Sequence, residues 1–207
     1  DETVVEDFAR QSIVPTYEQL DSEAGALKSA VDALVDEPTS EHLSAAREAW
    51  KAARTPWEQS ESFLFGPVVS NGYDPALDSW PVDRTQLENV LKSEEELTKE
   101  YISSLDPGQK GFHTIEYLLF GQGAAKEAGD FTDRELDYLK ATTAELKEIT
   151  AAMEKSWTEG IDGARAYAEV FAEAGAEGNT QYPALGSAGQ EMVDGMATIV
   201  NEVGTGK

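Results

Sequence analysis

The sequence predicts an all-α protein, an antiparallel helical bundle with a four-helix core and extra short helices. Three observations predict it. Apolar residues recur at spacings of three and four through most of the chain, so each such stretch has one face to bury as a helix. No stretch alternates apolar and polar residues as a half-buried strand would, while Ala, Glu, Leu and Lys, which favour helix, recur throughout. The links between periodic stretches are short to medium and rich in turn residues, as antiparallel neighbours require.

The elements follow in order. Residues 3–35 carry Val4, Val5, Phe8, Ile13, Val14, Tyr17, Leu20, Leu27, Val31 and Leu34 at helical spacing, with Pro15 as a kink or as the true start. "DEPTSEHL" breaks the chain. Thr39 or Ser40 caps a second helix over about 41–65, with Glu41 in its first turn. Arg47, Trp50, Arg54, Trp57 and Glu61 share one face of that helix. A face with two Trp is expected to be buried, so its charges need partners. "GPVVSNGYDPALDSWPVDR", residues 66–84, reads as a long loop holding Tyr73, Asp74, Asp78, Trp80 and Asp83, and Asp83 caps the helix "RTQLENVLKSEEELTKEYISSL". "DPGQKG" turns the chain into a short apolar helix bracketed by Gly111 and Gly121. Further helices are expected over about 132–157, 161–174 and 188–203, with "EGNTQYPALGS" as a loop before the last. The sequence has no internal repeat.

Composition narrows the function. The 207 residues, 40% of them hydrophobic, suffice for a real core. Lys and Arg total 16 against 40 Asp and Glu, a net charge of −24, and such a surface repels nucleic acid. The absence of cysteine excludes thiolate metal sites, thiol catalysis and disulfides. No apolar run reaches transmembrane length. The chain opens at "DETVVEDFAR" without Met or a signal peptide, which points to a processed or trimmed N-terminus.

The chemistry concentrates in "KGFHTIEYLLFG", Lys110 to Gly121. His113 and Glu116 stand one helical turn apart on one face, where an imidazole and a carboxylate can share a metal ion. The remaining ligands would be oxygens, with Glu61 and Asp78 as the candidate donors; His42, in the first turn of the second helix, is expected to be exposed. One nitrogen with several carboxylates is a hard, anionic set that suits Fe³⁺, Mn²⁺ or Ca²⁺ and admits Zn²⁺. The alternative is a histidine and glutamate that only hydrogen-bond within the fold. The zinc-peptidase pattern H-E-x-x-H is absent, as are G-x-S-x-G, a P-loop and a dinucleotide fingerprint.

"GFHTIEYLLFG" resembles the GxHxxE signature of imelysin-like proteins. "AWKAARTPWEQSESFLFGPV" resembles their Trp–Arg–Trp–Ser–Glu helix, "YDPALDSWPVD" their Asp–Trp–Pro loop, and "EMVDGMATIVNEVGTGK" their late Gly–Met helix. The four blocks stand in family order across most of the chain. The resemblance implies an all-helical protein of the bacterial periplasm or outer cell envelope, periplasmic or lipid-anchored, linked to iron regulation or uptake. Its relatives are in iron-uptake systems of the EfeO/EfeM type, and other envelope iron-uptake components are implied partners. The family is also grouped with peptidases through an insulin-cleaving member. Carried over by position, Gly111, His113 and Glu116 match the signature; Trp50, Arg54, Trp57, Ser60 and Glu61 match the helix block; Asp78, Trp80 and Pro81 match the loop block. The expectation is a site in which His113, Glu116, Glu61 and Asp78 bind a metal, foremost iron with zinc or calcium as alternatives. Arg54, Ser60, Trp57, Trp80 and Gly111 would form its wall or support. The competing expectations are an imelysin-type metallopeptidase and a metal-free helical interaction module. Full-length members usually continue into a second bundle, so residues 1–207 are expected to be the N-terminal bundle of a longer protein.

Overall fold

The structure, a computed structural model, describes residues 2–205. Gly206 and Lys207, which end the last signature block, lie outside the described residues. In chain order the helices are α1 (Glu2–Asp7), α2 (Val14–Asp36), α3 (Ser40–Ser60), α4 (Pro67–Ser70), α5 (Tyr73–Asp78), α6 (Arg84–Lys92), α7 (Lys99–Ser103), α8 (Gly111–Phe120), α9 (Asp133–Thr158), α10 (Tyr167–Ala172) and α11 (Leu185–Thr205). There is no strand among the described residues, and the all-α prediction holds.

The structure refines several boundaries. Between α1 and α2 the chain winds as π-helix over Phe8–Ile13, directly before Pro15. Proline has no N–H for the preceding turn, and a wider turn accommodates the missing bond. The expected loop at 66–84 contains α4 and α5. Pro67 opens α4 with its preset φ, and Asp74 sits in the first turn of α5. The helix expected over 84–105 is broken. Asp83 does cap it, accepting from the Gln86 amide at 3.0 Å, but Ser93 turns extended and the acidic run Glu94–Glu96 follows. Thr98 then caps α7 by accepting from the Tyr101 amide. α10 begins six residues later than expected, because Gly160, Asp162 and Gly163 all hold positive φ and no helix can start through them.

The chain's contacts divide it into two compact units. One comprises the residues up to Leu20, Thr55–Tyr73 and those from Ala151 onward. Its centre is aromatic. Tyr17, Phe63, Phe65, Trp157 and Phe171 are buried, with Phe65 stacked on Phe171 at 5.3 Å and Trp157 edge-on to Tyr167 at 4.9 Å. Tyr167 and Tyr182 join through their hydroxyls at 2.7 Å. α11 lies on the 3₁₀ turn Glu61–Phe63, so closely that a Cβ on Gly195 would meet the Ser62 carbonyl.

The other unit comprises Asp21–Arg54 and Asp74–Thr150. A link of three residues joins α2 to α3, which makes them antiparallel neighbours. Leu27, Val31, Leu34, Leu77, Leu87, Phe112, Ile115, Leu119, Leu139 and Leu146 form its apolar interior. Lys147 of α9 meets Asp21 of α2 at 2.6 Å. The buried Tyr138 hydroxyl donates to the Gln109 carbonyl at 2.5 Å, and burial holds that phenol protonated. Lys110, just before α8, is buried and reaches the Ser103 carbonyl at 2.8 Å and Glu145 at 3.2 Å. Burial raises the Glu145 carboxyl above its ordinary value against the pull of Lys110. These bonds fix the start of α8, the helix that carries the signature.

Candidate functional site

The first glycine of the signature has a steric cause. Gly111 begins α8 with φ +76°, and a Cβ there would run into the carbonyls of Leu77 and Ala76. Only glycine lets α8 start this close to the end of α5. The approach sets His113 of α8 beside Asp78 of α5. The His113 Nε2 lies 3.1 Å from Asp78 Oδ1, and its Nδ1 lies 3.0 Å from Glu116 Oε2 one turn along.

The ring is therefore held on both nitrogens by carboxylates. A neutral imidazole has one N–H and would turn its lone pair toward the second carboxylate; the imidazolium donates to both. Accordingly His113 is held protonated above its ordinary value, chiefly by the hydrogen bond to Asp78, with Glu116 adding to it and burial and Arg54 opposing. Arg54 also pairs with Asp78, and both side chains are largely shielded from solvent.

Helix α3 holds α8 along its length. Trp50 donates its indole N–H to the Phe112 carbonyl at 3.0 Å, and the Arg54 guanidinium lies over the Phe112 ring at 5.4 Å. Arg47 donates to the Leu119 carbonyl at 2.9 Å and to the Lys126 carbonyl at 2.6 Å, closing the C-terminal end of α8. Of the Trp–Arg face read from the sequence, Arg47 and Trp50 thus donate to a neighbouring backbone, and Arg54 donates to a carboxylate.

An open groove of about 580 Å³ lies against this arrangement. Its walls are Trp80, Pro81, Val82 and Arg84 on one side and His113, Glu116, Tyr117, Phe120 and the backbone of Gly121, Gly123 and Ala124 on the other. Trp80 is 71% exposed, with its ring 4.9 Å from that of His113. Tyr117 and Phe120 were not anticipated as site residues, although they stand four and seven residues after His113, on its face. Arg84 had no local signal in the sequence.

His113, Glu116, Asp78, Arg54, Trp80 and Gly111 thus come together in one unit. Trp57, Ser60 and Glu61 belong to the other unit. There Trp57 and Ser60 are fully buried, with the Ser60 hydroxyl donating to the Trp57 carbonyl at 2.7 Å, and Glu61 is buried as well. Among the described residues no group of three or more His, Asp or Glu side chains is set to share one ion. Asp78 and Glu116 approach opposite edges of the His113 ring, so the three donors do not converge on a point. His42 bonds the Glu37 carbonyl at 2.8 Å in the α2–α3 link.

An all-α chain with a doubly bonded signature histidine above an aromatic groove is the arrangement that the GxHxxE block encodes here. The chain belongs to the imelysin family, whose model matches residues 13–207. It is 35% identical over 203 residues to iron-regulated protein A of Synechococcus elongatus, covering 98% of this chain and 53% of that protein. A crystal structure assigned as an iron-regulated protein A precursor from Parabacteroides distasonis matches with TM-score 0.90 and 32% identity, over 100% of this chain and 59% of that one. An imelysin-like protein from Psychrobacter arcticum shares the fold, with TM-score 0.75 and 16% identity over 96% of this chain and 60% of that one. The chain thus spans little more than half the length of these relatives. No helix among the described residues is long and apolar enough to cross a membrane.

Proposed function

We propose that this chain is a binding protein in iron handling at the bacterial cell envelope, with the groove beside His113 as its site and iron as cargo. The observation that carries the reading is His113 itself, tied through both nitrogens to carboxylates in the wall of an open groove. A histidine so engaged has no lone pair to offer as a general base, which favours binding over peptide hydrolysis. The iron link rests on membership of the family and on relatives whose names call them iron-regulated.

The donor set shapes the form of the cargo. Direct coordination by His113 requires the ring to release Asp78 or Glu116 and to lose its proton. A ferric ion that brings oxygen ligands of its own needs neither step. The groove is wide enough for such a complex, with aromatic walls and a cationic rim.

Calorimetric titration of the metal-stripped protein tests the reading, using ferric citrate, bare Zn²⁺ and bare Ca²⁺ against wild type, Trp80→Ala and His113→Ala. Saturable binding of the ferric complex, weakened in both variants, is the expected result. No binding of any ferric species would end the proposal. Tight binding of a bare ion that His113→Ala abolishes would replace it with a directly coordinated metal at His113, Glu116 and Asp78.

A further inference from the structure

The guanidinium of Arg84 differs from the others. Among the described residues Arg10, Arg54 and Arg165 pair with carboxylates, and Arg47 and Arg134 donate to backbone carbonyls. Arg84 makes a ring contact alone, its guanidinium 5.3 Å above the centre of Tyr117. Carboxylates are not scarce in a chain with 40 acidic residues. The adjacent Asp83 is engaged in capping α6. Tyr117 thus holds in place a planar fork of donors that no acceptor among the described residues takes, at the rim of the groove.

The rest of the groove is aromatic. Trp80 leaves most of a large apolar ring in solvent and lines one groove with Tyr117 and Phe120, and a contiguous apolar patch of this kind marks a binding surface. Phe120 is backed by Arg47 at 5.0 Å and by Trp50 at 5.7 Å, so that wall is fixed. The Glu116 side chain is 42% exposed and has an acceptor oxygen beyond the one bonded to His113.

Resting on the reading that this groove is the binding site, we propose that its ligand is a planar aromatic carboxylate, with its ring against Trp80, Tyr117 and Phe120 and its carboxylate on the fork of Arg84. A ring hydroxyl would donate to Glu116. The carboxylate of Glu116 also sets the charge the groove accepts: one anionic group at Arg84 and a neutral hydroxyl toward Glu116. A hydroxyl beside the carboxylate makes such an acid a chelator of Fe³⁺; the chelate forms with release of the hydroxyl proton, so it keeps the ring contacts and the outer carboxylate oxygen on Arg84 and gives up the bond to Glu116.

The test is metal-free calorimetric titration with 2-hydroxybenzoate, benzoate, cyclohexanecarboxylate and benzyl alcohol, repeated with the ferric complex of 2-hydroxybenzoate. Both aromatic acids are expected to bind, with cyclohexanecarboxylate and benzyl alcohol each weaker by roughly tenfold. Arg84→Gln is expected to weaken the acids by roughly tenfold and leave benzyl alcohol unchanged. Trp80→Ala is expected to weaken every aromatic probe. Both side chains are exposed, and thermal melts of the variants confirm the fold. Failure of 2-hydroxybenzoate to bind, or binding indifferent to both substitutions, overturns the inference. Binding of ferric citrate without any binding of the free acids overturns it too, and leaves the iron-binding reading standing. Binding of the free acids with no ferric species bound keeps the inference and removes the iron reading.

Discussion

His113 cannot lose its proton without losing a partner, because one N–H cannot serve two carboxylates. Its raised pKa makes this a statement about stability. The contribution of the imidazolium is complete below the ordinary histidine value, about pH 6.5, and disappears as pH rises through the higher folded value. The difference in unfolding free energy between wild type and His113→Asn, measured in urea from about pH 5.5 to 9, should therefore be largest at the acid end and shrink with pH. A pH-independent difference would mean that His113 is neutral in the folded protein. Gly111 gives a second test at this scale. Gly111→Ala combines strained φ with a clash on two carbonyls and should cost about 3 kcal/mol. Gly123→Ala has a similar φ with open space around it, and should cost about 1 kcal/mol. Equal losses would refute the close approach of α8 to α5.

At the scale of elements, α8 is positioned through its backbone. Trp50 takes the Phe112 carbonyl near its start and Arg47 takes the Leu119 carbonyl near its end. Trp50→Phe keeps a ring against Phe120 and removes one neutral hydrogen bond, so denaturant unfolding should show a loss of about 1 kcal/mol. Arg47→Met removes a charged donor from two carbonyls and should cost about 2 kcal/mol. Hydrogen exchange separates the two variants further. Arg47→Met should speed exchange around Phe120–Lys126, where the groove's backbone wall begins, and Trp50→Phe should act nearer Gly111. Unaltered exchange at both ends would show that packing alone holds α8.

At the scale of the whole molecule the dominant quantity is charge. With 16 basic and 40 acidic residues, compaction brings many uncompensated carboxylates together, and added salt should relieve their repulsion. The melting temperature should rise by several degrees from about 10 mM to about 200 mM NaCl, most of it early, as the Debye length falls. A flat response would mean that the carboxylates are individually paired. One internal pair runs against this trend. Lys110 and Glu145 are both buried, and Lys110→Met would leave the carboxylate with no counter-charge at that contact, costing about 3 kcal/mol. The loss should be smaller in acid, where Glu145 takes up a proton.

The sequence by itself determined the helical class, the Asp83 cap, the face shared by Arg47, Trp50 and Arg54, and the pairing of His113 with Glu116. All of these are set by residues within a turn or two of each other, where periodicity and local hydrogen bonding decide the outcome. The same local rules misjudged 66–84 and 84–105, where short helices start and stop on single capping and proline contacts. Tyr117 and Phe120 were legible from their spacing to His113. Only the tertiary structure decided that Asp78 takes both Arg54 and the far side of His113, and that Arg84 stands over Tyr117 with no acceptor for its donors among the described residues. The physical reason is that a helical pattern says which face is buried and leaves open which neighbour meets it. That choice is made by close approaches such as the one Gly111 permits, between residues far apart in the chain.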